Sequence, residues 1–227
     1  MDQTDVAFST LEINKDIIED SLAKALIQPF KSELDEQMKK VIGYAQHELN
    51  NKPGRGESTL GNFVADLLLI QSERKYTGSV DIAVINAHGG LRVPISEGAI
   101  RVEHIYELMP FENAMWILEL SSEQVQQFFD HCAKTMRNVA AGAEFSVRDG
   151  KAVSIKIQGK DIEPNRRYTL AISDYLAQGG GGFSFLKETK FVEDLQYPVR
   201  DMILNHIAEL HDQGRKIEAK LDERIKL

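Results

Sequence analysis

Apolar residues recur at three- and four-residue steps in several stretches of the chain, a spacing typical of amphipathic helices. The pattern predicts helices over 16–49, over 60–73, from Ser121 or Ser122 onward, and over 198–212. Pro29 predicts a bend in the first helical segment, or a division into two helices, because its ring removes a backbone donor. The charge-dense tail, 213–227, is predicted to be a solvated helix or a frayed end.

Runs of β-branched and other apolar residues predict the strands. These runs lie at 6–13, 80–86, 114–120, 143–148, 152–158 and 167–172. Asp149-Gly150 separates two of them and is a strong β-hairpin signal. Ser58 or Thr59 is expected to cap the helix that follows the loop at 50–56. Helices, a strand buried on both faces and hairpins together predict a mixed α and β protein in layers.

The composition narrows the possible functions. A chain of 227 residues with 42% hydrophobic residues suits a single domain over 1–227. The net charge of −8 argues against binding of a nucleic-acid polymer, which needs a basic face. It does not exclude a single nucleotide held by a local arginine.

No apolar run is long enough to predict a membrane span. The first residues lack the features of a signal peptide, so the protein is predicted either to be cytoplasmic or to begin after a removed signal.

The single cysteine, Cys132, rules out an intrachain disulfide. It lies in a helix-like run, and we interpret it as a small buried apolar residue rather than as a nucleophile.

Two glycine-rich segments predict a binding site. The first, Asn86-Ala87-His88-Gly89-Gly90-Leu91-Arg92, follows a predicted buried strand, and the second is Gly179–Gly182. Glycine allows a ligand to approach the backbone, and an arginine fork binds carboxylate or phosphate. Phe111 and Tyr175 could stack on the two faces of a base. The site would therefore suit a flat, anionic ligand. The alternatives are a tight turn with a surface arginine, and aromatic rings that belong to the core.

His88 is the histidine nearest this predicted site. A role as acid, base or ligand is open, but a surface or hydrogen-bonded packing role is the preferred interpretation. The other histidines show no metal-binding spacing, and no Gly-x-Ser-x-Gly nucleophile motif is present.

Four motifs, in a fixed order between about residues 33 and 186, resemble the C-terminal domain of 5′-nucleotidases. They are Glu57–Asp66, Gly89–Arg92, Pro110–Asn113 and Tyr175–Phe183. The resemblance implies an α+β fold, a four-layer α/β/β/α domain, that binds the nucleoside part of a nucleotide.

The resemblance also implies roles for individual residues, by position in the motifs. Phe111 and Tyr175 correspond to the two aromatics that sandwich the base, and Arg92 corresponds to an arginine that contacts the nucleotide. Asn86 is displaced by one residue from a family asparagine, and Arg55 by one residue from another arginine that contacts the substrate. The remaining predicted binding residues are His88, Gly89, Gly90, Gly180 and Gly181.

Two departures from the family pattern stand out. Gly181 takes the place of a family aspartate that accepts hydrogen bonds from the ribose hydroxyls. The absence of this aspartate should weaken nucleoside binding. In the family, hydrolysis belongs to an N-terminal metallophosphatase domain that holds two metal ions. None of the Asp-x-His, Gly-Asn-His-Glu or Gly-His-x-His motifs of that domain occurs in this sequence. No catalytic residue, metal ligand or cofactor is therefore predicted in this chain, and two divalent metals are expected in a partner.

Three functional hypotheses follow. The leading one is a stand-alone domain that binds a nucleotide or nucleoside and supplies substrate recognition to a separate metallophosphatase chain. The second is an interaction protein that kept the fold and lost the ligand. The third is a hydrolase that acts alone through His88 and Asp174. Because members of the family usually work outside the cytoplasm, the resemblance predicts a periplasmic or other extracytoplasmic location.

Overall fold

The computed structural model describes residues 10–51 and 56–227. The chain divides into two compact units, which meet in the sequence between Met38 and Lys39. The helices are α1 (Ser21–Met38), α2 (Thr59–Lys75), the short turn α3 (Ala87–Gly90), α4 (Val102–Leu108), α5 (Ser122–Thr135), the short turn α6 (Asp174–Ala177) and α7 (Val199–Asp212). The strands are β1 (Val41–Ala45), β2 (Ile82–Asn86), β3 (Gly98–Arg101), β4 (Ala114–Ser121), β5 (Asn138–Ala141), β6 (Ala143–Arg148), β7 (Lys151–Ile157), β8 (Lys160–Asp161), β9 (Arg167–Ser173), β10 (Lys190–Pro198) and β11 (Ile225–Lys226).

The first unit contains α1, a single helix with Pro29 inside it. The side chain of Asp20 accepts hydrogen bonds from the backbone N–H groups of Leu22 and Ala23, which satisfies donors at the start of the helix. No residue of α1 is buried, and its predicted apolar face is exposed. Most of the strand predicted over 6–13 lies outside the described residues, and 10–13 form no strand.

The helical prediction for the end of the 16–49 segment is wrong. Val41–Ala45 form β1, which pairs antiparallel with β3. Ile42 and Ala45 are buried in the core. The strand also packs closely on α7, because a Cβ added at Gly43 would lie 2.6 Å from Cγ2 of Ile207. Pairing and burial with partners remote in sequence therefore override the local helical spacing.

A five-stranded sheet forms the centre of the second unit, in the order β10-β4-β9-β2-β5. β2 pairs parallel to β9 and antiparallel to β5. Its residues alternate between two cores: Ala83 and Ile85 belong to one, and Ile82 and Val84 to the other. This confirms the prediction of a strand buried on both faces.

The two cores differ in what covers each face of the sheet. Helices α2 and α7 contribute to the first core, together with β1 and β3. Helix α5 contributes to the second, together with the four-stranded sheet β11-β6-β7-β8. This arrangement confirms the predicted α+β class.

Several local signals in the sequence are confirmed. Ser58 is the N-cap of α2 and accepts a hydrogen bond from the backbone N–H of Gly61 at 2.9 Å. Ser121 and Gln124 form a reciprocal capping box at the start of α5. Asp149 and Gly150 both have positive φ and connect β6 to β7 as a hairpin.

Cys132 is buried in the second core, as predicted. Burial raises the pKa of its thiol far above the usual range, because the thiolate would lose its hydration. The thiol is therefore a packing group in the folded protein.

The prediction for the tail, a solvated helix or a frayed end, is wrong. Ile225 and Lys226 form β11, which pairs parallel with β6, and Ile217 is buried. The guanidinium of Arg224 makes a two-pronged pair with Asp66 on α2, at 2.8 and 3.1 Å, and a second pair with Asp222. These contacts hold the tail on the domain, even though the tail is dense in charged residues.

The Asp222 pair predicts a loss of stability in acid. Hydrogen bonding from Arg224, and its charge, lower the pKa of Asp222 below its ordinary value of 3.8, although burial opposes this. A carboxylate whose pKa is lower when folded stabilises the protein above its unfolded pKa and loses that contribution as pH falls through the folded pKa. From about pH 5 to about pH 2, the unfolding free energy of wild type should fall more steeply than that of Asp222→Asn. Urea unfolding across this pH range measures the difference.

Asp161→Asn is the matched control, because this carboxylate lies exposed on β8. A pH profile of Asp222→Asn that coincides with wild type would show that the Arg224 pair contributes nothing to acid stability.

Candidate functional site

A cavity of about 450 Å³ lies where β2 and β9 end and β4 begins. Its lining brings together most of the binding residues predicted from the sequence. These are Asn86, Gly89, Gly90, Arg92, Phe111, Tyr175 and Gly181. The other lining residues are Ile85, Met109, Asn113, Arg137, Ser173, Leu176 and Val199.

The turn that follows β2 forms one wall. The side chain of Asn86 folds over Gly89, because a Cβ added at Gly89 would lie 3.1 Å from both polar atoms of the Asn86 amide. Oδ1 of Asn86 is buried and accepts no hydrogen bond from the described part of the chain. A buried acceptor without a partner is costly, and a ligand donor in the cavity could satisfy it.

Arg92 lies at the end of this turn, with its side chain exposed. Its Nη1 donates a hydrogen bond to the carbonyl of Gly89 at 3.1 Å. Its guanidinium carbon is 5.7 Å from the centroid of the Phe111 ring, within the range of a cation–π contact. The positive charge of Arg92 and the Phe111 ring therefore face the same space.

Arg200 on α7 holds the segment that carries Phe111. The guanidinium, which is buried, is ion-paired with Glu112, donates to the carbonyl of Phe111 at 3.5 Å, and lies 4.2 Å from the centroid of the Tyr106 ring. Burial disfavours its charge, but the hydrogen bond and charge of Glu112 outweigh this and raise the pKa of Arg200. The backbone of Phe111 is thus held by a residue of α7 that does not line the cavity.

Asn113 and Asp174 connect the two aromatic segments. The amide of Asn113 donates to Oδ1 of Asp174 at 2.8 Å, and the same oxygen accepts from the backbone N–H of Tyr175 at 2.6 Å. The carbonyl of Asn113 accepts from Val199 at the start of α7. These bonds fix the spacing between the Phe111 segment and the Tyr175 segment.

The glycine run lies directly against Tyr175. A Cβ added at Gly180 would lie 2.5 Å from two carbons of the Tyr175 ring and from its backbone oxygen, so a side chain at this position would displace Tyr175. Gly181 has a φ of +61°, and its carbonyl is 3.0 Å from Nε2 of His131 on α5. Phe183, immediately after the run, is fully buried. Gly181 lines the cavity and Phe183, two residues later, belongs to the second core, so the glycine run connects the cavity wall to that core.

Both aromatic rings are accessible from solvent. Phe111 is 37% exposed and Tyr175 is 54% exposed, although both line the cavity. Core aromatics of this domain, such as Phe128 and Phe129, are fully buried. The rings of Phe111 and Tyr175 are thus available to a ligand.

Two predicted residues do not line the cavity, and the position of a third is not described. Gly180 is not among the lining residues and instead supports the Tyr175 ring. His88 is also outside the cavity lining. Burial lowers the pKa of His88, a hydrogen bond with the backbone of Gly56 opposes this shift, and the charge of Arg137 lowers the pKa further. Arg55 lies outside the described residues, so its role stays a prediction.

Asn113 and Arg137 line the cavity but were not among the predicted site residues. Asn113 was present in the Pro110–Asn113 motif, which is the signal that could have found it. Arg137 directly precedes β5, and its place follows from the pairing of Asn138 with Asn86. Nothing in the local sequence around Arg137 indicates that pairing.

Within residues 10–51 and 56–227, no three or more His, Cys, Asp or Glu side chains are grouped so that they could hold a metal ion. The same residues contain no helix that is long and apolar enough to cross a membrane.

The chain has an α+β fold with one cavity that collects most of the predicted binding residues, and sequence comparison gives its family. The profile described as 5′-nucleotidase, C-terminal domain, matches residues 41–188, which is more than half of the chain. The chain therefore belongs to the family of 5′-nucleotidase C-terminal domains. The resemblance drawn from the four motifs is confirmed.

The chain is similar to parts of larger proteins. It is 27% identical to the trifunctional nucleotide phosphoesterase protein YfkN of Bacillus subtilis, over 99% of this chain and 16% of that protein. It is 29% identical to the protein UshA of Yersinia enterocolitica, over 74% of this chain and 31% of that protein. The chain thus spans less than a third of the length of these relatives.

Solved structures show the same fold. The 5′-nucleotidase precursor from Thermus thermophilus superposes with a TM-score of 0.76 at 22% identity, covering 92% of this chain and 43% of that one. The NAD nucleotidase of Haemophilus influenzae superposes with a TM-score of 0.69 at 20% identity, covering 91% and 41%. These likenesses confirm the predicted fold.

Proposed function

We propose that the domain binds a nucleotide or nucleoside, with the base between Phe111 and Tyr175. The observation that carries this proposal is that both rings are accessible and line one cavity of about 450 Å³, while hydrogen bonds hold the segments that carry them. Segments that are held in place before binding lose little conformational freedom when a flat ligand enters, so more of the stacking energy is available for binding.

The polar part of the ligand would lie against the turn after β2. Arg92 offers N–H groups to an anion, and Oδ1 of Asn86 offers an acceptor that is buried without a partner among the described residues. Gly89 and Gly90 let the ligand approach the backbone, because they carry no side chain.

Hydrolysis would be supplied by a metallophosphatase with two divalent metal ions, which we predict to be a separate chain in an extracytoplasmic compartment. Family membership and the similarity to YfkN, a trifunctional nucleotide phosphoesterase protein, support a role in nucleotide breakdown. In this arrangement the present domain recognises the substrate and the partner cleaves it.

The second candidate is an interaction protein that kept the fold and lost the ligand. It is favoured by one observation: the lining residues include no Asp or Glu that could accept hydrogen bonds from sugar hydroxyls, and Gly181 contributes no side chain. Unpaired hydroxyls would weaken binding of a neutral nucleoside.

Isothermal titration calorimetry of the purified chain with AMP and with adenosine tests the proposal. We expect saturable binding of at least one of them. If neither gives heat at millimolar ligand, the nucleotide-binding proposal fails and the interaction protein gains support. Adding candidate metallophosphatase chains with manganese, and measuring phosphate release from AMP with and without this domain, tests the division of labour.

A further inference from the structure

The charge of the cavity lining is one-sided. Two of its residues, Arg92 and Arg137, carry a positive charge, and none of the lining residues is an aspartate or glutamate. The domain as a whole has a net charge of −8, so this cationic cavity stands in contrast to an acidic protein. A cavity of one sign concentrates ligands of the opposite sign.

Both arginines are attached to the turn after β2, but in different ways. Arg92 uses one guanidinium N–H on the carbonyl of Gly89. Arg137 is attached through its backbone, because its carbonyl accepts from the N–H of His88 at 3.1 Å. Asn138, the next residue, pairs with Asn86 across β5 and β2, which fixes the main chain of Arg137 beside the turn.

The guanidinium of Arg137 is exposed and makes no hydrogen bond or ion pair with any residue that the structure describes. Burial lowers the pKa of His88, a hydrogen bond with the backbone of Gly56 opposes this, and the charge of Arg137 lowers the pKa further. Within the part of the chain that the structure describes, no residue occupies the N–H groups of this side chain, so they can serve a ligand in the cavity.

We infer that Arg137 is a specificity-determining residue that contacts the phosphate of a bound nucleotide, so that the domain prefers nucleotides to neutral nucleosides. This rests on the proposed nucleotide-binding function. The shared chemistry is a phosphate ester on the sugar, in either the 5′ or the 3′ position. A planar fork on a phosphate gives directional, charge-assisted hydrogen bonds, which a nucleoside cannot receive.

Calorimetry with adenosine, 5′-AMP and 3′-AMP on the intact chain tests this inference. At low salt we expect at least one nucleotide to bind about 10-fold more tightly than adenosine. Arg137→Gln should remove most of that preference, because it should weaken nucleotide binding far more than adenosine binding. The nucleotide that loses affinity in the variant identifies the position of the phosphate. Raising the salt concentration should weaken nucleotide binding more in wild type than in Arg137→Gln.

Arg148→Gln is the matched control, because it makes the same change in net charge at an exposed position at the end of β6. It should leave all three affinities unchanged. The inference is overturned if Arg137→Gln binds nucleotides as wild type does, or if it loses adenosine and nucleotide affinity equally. Adenosine binding as tight as nucleotide binding in wild type overturns the inference alone, whereas no binding of any of the three overturns the proposed function with it.

Discussion

Replacing either Phe111 or Tyr175 by alanine is expected to weaken nucleotide binding by roughly 5- to 150-fold. Stacking of a base on an aromatic ring contributes roughly 1–3 kcal/mol, and each 1.4 kcal/mol changes an affinity about tenfold. The two rings line one cavity, and separate contacts hold their backbone segments. Arg200 donates to the carbonyl of Phe111, and the backbone N–H of Tyr175 donates to Asp174. The double variant should lose detectable binding. Calorimetry with AMP measures all three.

Phe191→Ala is the control for this pair. Phe191 is 51% exposed on β10 and is not among the residues that line the site cavity, so its removal should leave the affinity unchanged. Thermal unfolding should show little change in either single variant, because both rings are partly exposed in the folded protein. AMP affinity within twofold of wild type in both single variants would show that the base does not stack on these rings.

The largest effect on stability is expected from Phe183→Ala, at about 3–5 kcal/mol. Phe183 is fully buried, with its ring centroid 5.2 Å from that of Phe128 and 4.3 Å from that of His131. Truncation leaves a cavity in the second core, and the flexible glycines just before Phe183 lose their attachment. AMP affinity should therefore fall as well. Urea unfolding measures the first effect and calorimetry the second.

Phe183→Leu separates these two effects, because it keeps most of the apolar volume and should cost clearly less stability than alanine. We expect it to retain nucleotide binding. A loss of less than about 1 kcal/mol in Phe183→Ala would mean that the second core closes around the missing ring and does not depend on it.

Local chemistry made much of the fold predictable from the sequence. Ser58 and Ser121 are N-caps because a hydroxyl oxygen next to an apolar periodic run satisfies a free backbone donor. Asp149 and Gly150 form the hairpin turn because both adopt the positive φ that it requires. In each case the residues that decide the structure lie within a few positions of one another.

Two of the incorrect predictions concern segments whose structure is decided by distant partners. Val41–Ala45 has spacing that suits a helix, but it pairs with Gly98–Arg101, more than fifty residues away. The tail is fixed by the parallel pairing of Ile225 with Phe145 and by the contact of Arg224 with Asp66. Periodicity within a short window carries no information about such partners.

The same distinction applies to the candidate site. Residues inside the recognised motifs, such as Arg92, Phe111 and Tyr175, were identified from the sequence and are brought together in one cavity. Arg137 was missed because only the register of β5 against β2 brings it to the cavity.

The position of Cys132 gives the protein an internal reporter of its own opening. Because Cys132 lies on the buried side of α5, in the same core as Phe183, a reagent that modifies thiols can reach its thiol only when that core opens. No other cysteine in the sequence competes for the reagent. The rate of thiol modification therefore measures how often the second core, which supports the glycine run, opens to solvent. A ligand that binds in the neighbouring cavity and stabilises this core should lower that rate.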